Sequence, residues 1–168
     1  NLYYATQAAH VLGIKPKKEW NTTANAFQFQ YLDNGVIKEY DTYNGQVTKQ
    51  ADVSLLAYPL HIVTDTAQIR KNLEYYIEKV PVKKTPAMSK SIYSILYARL
   101  GNAQKALYYF YDSYLPNLNP PFRVIAEFDG GTNPYFITGA GGTLQSIIFG
   151  FAGLDITDKG LKPTYAPL

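Results

Sequence analysis

Apolar side chains recur at helical spacing in three stretches of the first third of the sequence. Residues 2–12 predict a helix that Gly13 caps, and the helical pattern is already under way where the sequence begins. Residues 19–30 predict a second helix beside the first. Residues 49–60 are apolar on nearly every side, which is typical of a helix buried between neighbours.

The middle and later parts of the chain predict four more helices. Asp65 or Thr66 caps one of them. The next follows Pro86, and Asn102 caps the helix after that. The last begins with the glycine-rich residues 139–142. The predicted helices therefore come in successive pairs that short loops join.

Three stretches break the helical pattern. Asp33-Asn34-Gly35 is a strong hairpin signal and predicts a small β excursion. Residues 116–139 lack helical periodicity, and a gap of this length in a compact domain usually has a function. Apolar and polar residues alternate over residues 154–157, and residues 161–168 are rich in proline, so we expect a strand that leaves the helical part.

Paired helices favour a bundle, an α-solenoid or part of an (α/α) toroid. A solenoid would show a repeat of fixed period, and the sequence has none. The helical pattern that is already under way at Leu2 indicates a missing upstream segment, as in an excised or processed chain. We therefore expect a mainly α fold that helices upstream of Asn1 close into a toroid.

Composition excludes several classes of function. The net charge of +3 comes from scattered Lys and Arg, so the basic patch of a nucleic-acid binder is missing. No apolar stretch approaches the about 20 residues that a membrane-spanning helix needs. The chain has no cysteine and only His10 and His61, so we expect no metal site and no cofactor.

Asn21-Thr22-Thr23 satisfies the sequon for N-linked glycosylation. Such triplets are frequent by chance, and this one matters only if the protein passes through a secretory route. Asn21 is therefore a candidate glycosylation site.

Residues 123–139 combine two carboxylates, Glu127 and Asp129, with amides and aromatic rings, as a sugar site requires. On a strand the two carboxylates would share a face, too close for the about 6.5–9.5 Å that inverting cleavage needs. Exposed strand carboxylates are the plainer interpretation. Asn133 and Thr138 are the candidate substrate-binding residues of this segment.

Two other polar stretches allow two interpretations each. The glycines of residues 139–142 could cradle a phosphate, but close helix packing is the better explanation of them. Lys49 and Gln50 lie at the entry to a very apolar predicted helix, and composition alone does not distinguish a substrate-facing rim from an ordinary solvated cap.

Four motifs in order along the chain resemble glycoside hydrolase family 65, and within it the acid trehalases of fungi. The motifs are Lys49-Gln50-Ala51-Asp52-Val53, Pro86-Ala87-Met88-Ser89, Thr138-Gly139-Ala140-Gly141-Gly142-Thr143-Leu144-Gln145-Ser146, and Gly150-Phe151-Ala152-Gly153-Leu154. The resemblance implies part of an (α/α)6 barrel. Residues 1–153 would form the C-terminal half of the barrel, and residues 154–168 would begin a C-terminal β-sandwich.

The resemblance also implies roles for individual residues. Glu127 matches the general base of the hydrolytic members, while the general acid would lie on an earlier part of the polypeptide, here a companion chain. Lys49 and Gln50 match the Lys-Gln pair that binds glucose. Phosphorolytic members have His-x-Ser-Ser where this chain reads Lys84-Thr85-Pro86-Ala87. The loss of those hydroxyl groups favours water over phosphate as the nucleophile.

The expected activity is inverting hydrolysis of α,α-trehalose to two glucose molecules, in a secreted, cell wall, periplasmic or vacuolar enzyme. Two alternatives stay open. One is a family hydrolase or phosphorylase that acts on another α-glucoside, such as an α-1,2-glucoside. The other is a helical domain that binds carbohydrate without cleaving it.

Overall fold

The computed structural model describes residues 1–168 with the exception of the Val82 side chain. The α-helices are α1 Leu2–Val11, α2 Lys18–Ala26, α3 Thr66–Lys79, α4 Ala87–Arg99, α5 Ala103–Asp112 and α6 Ile137–Gln145. Short 3-10 turns span Asp52–Leu56, Val82–Lys84 and Leu115–Asn117, and a π-helical turn, Ser146–Phe151, continues α6. Among the described residues, no helix is both long enough and apolar enough to cross a membrane.

The β structure consists of two small antiparallel hairpins. β1 Leu118–Asn119 pairs with β2 Val124–Ile125, and β3 Leu154–Thr157 pairs with β4 Gly160–Pro163. The chain is therefore mainly helical, as predicted.

Helix α4 is the centre of the fold, because ten of its thirteen residues are buried. It packs against α5, α6 and the π-helical turn, and more lightly against α3. Its apolar side chains Ile95 and Leu96 join the main core with Leu73 of α3 and Ala106 of α5. The start after Pro86 was predicted, and the αL residue Gly101 (φ +73°) follows the end of the helix.

A second core lies beneath the predicted hairpin around Asn34. The turn is present, and Gly35 takes the positive φ that it requires, but only one bridge forms, between Tyr31 and Ile37. Val36 and Ile37 are almost fully buried with Tyr76 of α3. The hydroxyl of Tyr76 donates to the Ile37 carbonyl at 2.7 Å, which fixes this turn to α3.

The predicted second helix was too long. Helix α2 ends at Ala26, and Phe27 is already extended. None of the residues of α2 is buried, so little packing holds its last turn, while residue Tyr31 must be extended to bridge Ile37.

The helix predicted over residues 49–60 is absent, and the five-residue 3-10 turn Asp52–Leu56 takes its place. Pro59 lacks the N–H that would continue a helix, and it disfavours helical backbone at Tyr58. The apolar character of this stretch is real, since Ala51 and Val53 are buried, but it reflects irregular chain that packs against α3 and α4.

The last helix was predicted to begin with the glycine-rich residues 139–142, and α6 begins two residues earlier, at Ile137, so that these glycines lie inside it. A Cβ atom at Gly139 would come within 2.8 Å of the Ala87 Cβ, and one at Gly142 within 2.9 Å of the Ser91 Oγ. Both neighbours belong to α4. The close-packing interpretation of these glycines is therefore the one that the geometry supports.

The C-terminal residues return to the helical body after the β3–β4 hairpin. The amides of Thr164 and Tyr165 donate to the Gly153 carbonyl, and the amide of Leu168 donates to Phe151. The predicted strand at residues 154–157 is confirmed as β3. The division of the chain into domains at residues 153 and 154 stays a prediction.

Candidate active site

The Glu127 side chain is held by two of the predicted site residues. Its Oε1 lies 2.5 Å from the Nζ of Lys49, and its Oε2 accepts a hydrogen bond from the Nδ2 of Asn133 at 3.2 Å. The Asn133 Oδ1 accepts from the Glu127 amide at 3.4 Å. The Glu127 side chain remains 20% exposed. The result is an oriented carboxylate that solvent or a ligand can reach.

The backbone of the loop after β2 fixes the position of Glu127. The Glu127 carbonyl accepts a hydrogen bond at 2.7 Å from the amide of Ala87, which is the first residue of α4, and another at 3.4 Å from the Asn117 Nδ2. The Asn117 carbonyl accepts from the Ala126 amide at 2.8 Å. Asn117 and Ala126 are fully buried, so this part of the loop is packed although its sequence has no regular pattern.

Lys49 and Gln50 lie on the irregular segment that leads into the 3-10 turn at Asp52. The Thr48 hydroxyl donates to the Gln50 carbonyl at 3.1 Å. The Glu39 carboxylate accepts from the backbone amides of Asp52 at 2.5 Å and Val53 at 3.3 Å. Burial raises the pKa of Glu39, and the two backbone hydrogen bonds act in the opposite direction.

Gln50 lines a cavity of about 70 Å³ between the 3-10 turn and α4. Ser54, Ser89 and Tyr93 also line it. The Ser54 and Tyr93 hydroxyls are buried and, among the described residues, have no hydrogen-bond partner. Burial raises the pKa of Tyr93, so this hydroxyl is protonated at neutral pH. The cavity offers polar groups and enough room for a few water molecules.

The structure places the other candidates less centrally. Thr138 is exposed in the first turn of α6, next to the Gly139 that packs on Ala87. Asp129 is exposed beyond Glu127. Asn21 is exposed on α2, away from the core.

Ala87, Asn117 and Glu39 support the site, but the sequence did not single them out for this role. Ala87 contributes a backbone amide, which no side-chain pattern encodes. Glu39 and the amides that it binds are 13 and 14 residues apart. The one available signal was the position of Asn117 at the start of the long aperiodic segment.

The group of this site that can take part in acid–base chemistry is the Glu127 carboxylate. Within the described part of the chain, no three His, Cys, Asp or Glu side chains are close enough together to bind a metal ion. A fixed, partly exposed carboxylate can accept a proton from water.

Comparison with known proteins identifies the family. The model of the glycosyl hydrolase family 65 central catalytic domain matches residues 11–123, which end four residues before Glu127. A kojibiose hydrolase of Mucilaginibacter mallensis is 53% identical over all 168 residues. Identity is 34% with a protein-glucosylgalactosylhydroxylysine glucosidase of Mus musculus, over the whole chain, and 33% with a cell wall acid trehalase of Arthroderma benhamiae, over 99% of it.

The aligned region is 25%, 24% and 17% of these three relatives, so the chain spans about a quarter of their length or less. The predicted likeness to fungal acid trehalases holds at the level of the family, but the kojibiose hydrolase is more similar. Because the family model covers more than half of the sequence, the chain belongs to glycosyl hydrolase family 65.

Proposed function

We propose that the protein to which this chain belongs hydrolyses an α-glucosidic bond with inversion, and that Glu127 is its general base. The observation that carries the proposal is the Glu127 carboxylate, oriented by Lys49 and Asn133 and still partly exposed. Inversion requires one carboxyl group to activate water and a second, about 6.5–9.5 Å away, to protonate the leaving oxygen.

The second carboxyl group is proposed to lie on the rest of the protein. Asp129 is exposed two residues after Glu127 and makes no hydrogen bond to it among the described contacts. The relatives are about four to six times as long as this chain, so there is ample polypeptide to supply the acid. Lys49, Gln50, Asn133 and Thr138 are proposed to bind the glucose units.

The proposed substrate is a disaccharide of glucose, with kojibiose, which is α-1,2-linked, as the first candidate. The 53% identity to the kojibiose hydrolase supports it. The α,α-trehalose predicted from sequence is the second candidate, and the relative named acid trehalase supports it at 33% identity.

Water is the proposed nucleophile. Pro86 and Ala87 begin α4 beside the Glu127 carbonyl, and neither side chain has a hydroxyl to bind phosphate. A phosphorylase would also have little need for a general base, because phosphate is already a nucleophilic anion.

We propose that the six helices form part of an (α/α)6 barrel that the rest of the protein completes. Several large apolar side chains on α5 and α6 are exposed, and helices from the rest of the protein would bury them. These side chains are Leu107, Tyr108, Tyr111, Ile137 and Leu144. An experimental structure of the full-length protein would test this by placing other helices against them.

A secreted or cell wall location is proposed from the exposed sequon at Asn21 and from the cell wall acid trehalase among the relatives. If Asn21 carries a glycan in its natural host, treatment with an N-glycosidase will lower the mass of the protein, and the variant Asn21→Gln will show no such change.

The activity is tested by incubating the full-length protein with kojibiose and with trehalose, each with and without inorganic phosphate. Hydrolysis releases free glucose in both conditions, and inversion at an α-linkage releases the β-anomer first, which proton NMR detects. Glucose 1-phosphate formed only with phosphate would instead identify a phosphorylase. Sugar binding without any cleavage would identify a carbohydrate-binding domain.

A further inference from the structure

The Glu39 carboxylate joins the chain next to the second core to the segment carrying Lys49 and Gln50. It follows Ile37, which is buried and tied to α3 by two hydrogen bonds, from its amide to the Asn72 side chain and from the Tyr76 hydroxyl to its carbonyl. The backbone that presents Glu39 is therefore fixed by packing.

The Glu39 carboxylate binds the two amides that begin the 3-10 turn. A helical turn leaves its first amides without internal partners, and an ionised carboxylate is their strongest acceptor. The Asp52 amide lies 2.5 Å from Oε1 and the Val53 amide 3.3 Å from Oε2. Glu39 thus caps this turn from a distant part of the chain.

The capped turn follows Lys49 and Gln50 directly. Only Ala51, which is buried, separates Gln50 from the Asp52 amide. Lys49 in turn reaches across to the Glu127 carboxylate. A shift of the turn would therefore move the Lys49 ammonium away from Glu127 and move Gln50 in the cavity that it lines.

We propose that Glu39 is a positioning residue, which sets Lys49 and Gln50 against Glu127 without touching the substrate itself. The inference rests on the proposed function for the identity of the bound sugar. The structural part of it, that the Glu39 carboxylate caps the turn at Asp52 and Val53, rests on the two hydrogen bonds and not on the identity of the sugar.

Asp65 provides a matched control. Its carboxylate also accepts from two backbone amides, those of Ala67 and Gln68, at the start of α3. Glu39→Ala and Asp65→Ala therefore remove the same kind of cap, but only Glu39 is joined to the segment of Lys49. Glu39→Gln retains one acceptor oxygen at the original length and should recover part of the loss.

The experiment measures hydrogen exchange and sugar cleavage in the full-length protein. We expect Glu39→Ala to speed amide exchange at Asp52 and Val53 by about 10- to 100-fold. We also expect it to lower kcat/KM by about 10- to 100-fold, chiefly through KM. Asp65→Ala should lower the melting temperature by about as much as Glu39→Ala does. It should leave the amide exchange at Asp52 and Val53 and the KM unchanged.

The outcomes separate this inference from the proposed function. Unchanged exchange at Asp52 and Val53 in Glu39→Ala overturns the inference, and so does faster exchange with an unchanged KM. A wild-type protein that cleaves no disaccharide overturns the proposed function alone, and glucose affinity, measured by calorimetry, then takes the place of KM. A wild type that neither cleaves nor binds sugar overturns both.

Discussion

Two ion pairs lie in different parts of this molecule, and their surroundings differ. The pair of Lys49 with Glu127 is open, with the two side chains 55% and 20% exposed. The pair of Arg99 with Asp155 is closed, with exposures of 6% and 11%. The first joins two irregular segments, and the second joins α4 to the β3–β4 hairpin.

The Arg99 side chain is almost buried, between two aromatic rings. Its guanidinium lies 4.7 Å from the ring centre of Tyr58 and 4.3 Å from that of Tyr165, and its Nε donates to the Phe149 carbonyl at 3.2 Å. Burial raises the pKa of Tyr58 to about 12, so its hydroxyl remains protonated and donates to the Gln145 Oε1. These contacts hold the guanidinium of Arg99 beside Asp155.

The difference in burial gives the two ion pairs different roles: the exposed pair can open to a ligand, and the buried pair holds α4 and the hairpin together. An exposed pair contributes little to stability, because water solvates both charges almost as well when they are apart. It can therefore open to a ligand at little cost. A buried pair is costly to form, and it is costlier to break, because one charge is then left unpaired in the interior.

Replacing Glu127 should give the largest effect. Glu127→Gln retains the size of the side chain but removes the base, so we expect kcat to fall by about 10²–10⁴ with the melting temperature nearly unchanged. Glucose release by the full-length protein measures this. Asp129→Asn, a neighbouring exposed carboxylate, is the control that should remain active. Full turnover in a folded Glu127→Gln protein would remove Glu127 from the reaction.

Replacing Arg99 should have the opposite result, a large loss of stability with little change in kcat. Arg99→Met leaves the buried Asp155 carboxylate without its guanidinium partner, although the His61 imidazole remains 3.4 Å away. The free energy of unfolding should therefore fall by about 3 kcal/mol, the low end of the cost of breaking a buried pair. Urea denaturation followed by circular dichroism measures it, and kcat at low temperature should be close to that of the wild type. The double variant Arg99→Met, Asp155→Leu should recover part of the loss, since no unpaired charge remains. A loss no greater than that of a surface pair would contradict the contrast.

Helix α6 connects the two regions, because it begins near Thr138 and its continuation carries the Phe149 carbonyl that Arg99 binds. Gly142→Ala would place a methyl group against Ser91 of α4 and should cost about 1–3 kcal/mol. Gly141→Ala meets no atom within 4 Å and should be neutral or slightly stabilising. Equal melting temperatures for the two variants would show that α6 does not pack tightly on α4.

Local signals in the sequence predicted most of the helices. Asp65 and Asn102 cap α3 and α5 as expected, each by accepting a hydrogen bond from a backbone amide of the first turn. The predicted helix over residues 49–60 is absent. Apolar composition does not reveal that Glu39, 13 residues earlier in the chain, binds the Asp52 amide. Long-range hydrogen bonds of this kind leave no periodic trace.

The candidate site was predictable only in part, because several of its contacts are also long-range. The family resemblance indicated Glu127 and Lys49, the polar segment of residues 123–139 offered Asn133, and the structure brings these three together. Among the described residues, Thr138 makes no hydrogen bond to any of these three. The supporting contacts from Ala87 and Asn117 depend on how the aperiodic loop folds back on α4, which side-chain identity alone does not specify.

Of the two ion pairs, the open pair of Lys49 should contribute less to stability. Lys49→Met leaves Glu127 with its Asn133 hydrogen bond and with water, so the free energy of unfolding should change by about 1 kcal/mol or less. Sugar affinity should still weaken if Lys49 binds glucose. Urea denaturation of Lys49→Met beside Arg99→Met provides the direct comparison, because each variant removes one cation from one carboxylate. A loss of stability equal to that of Arg99→Met would mean that the Lys49 pair is a structural element, and that the open site must then be sought elsewhere along the loop.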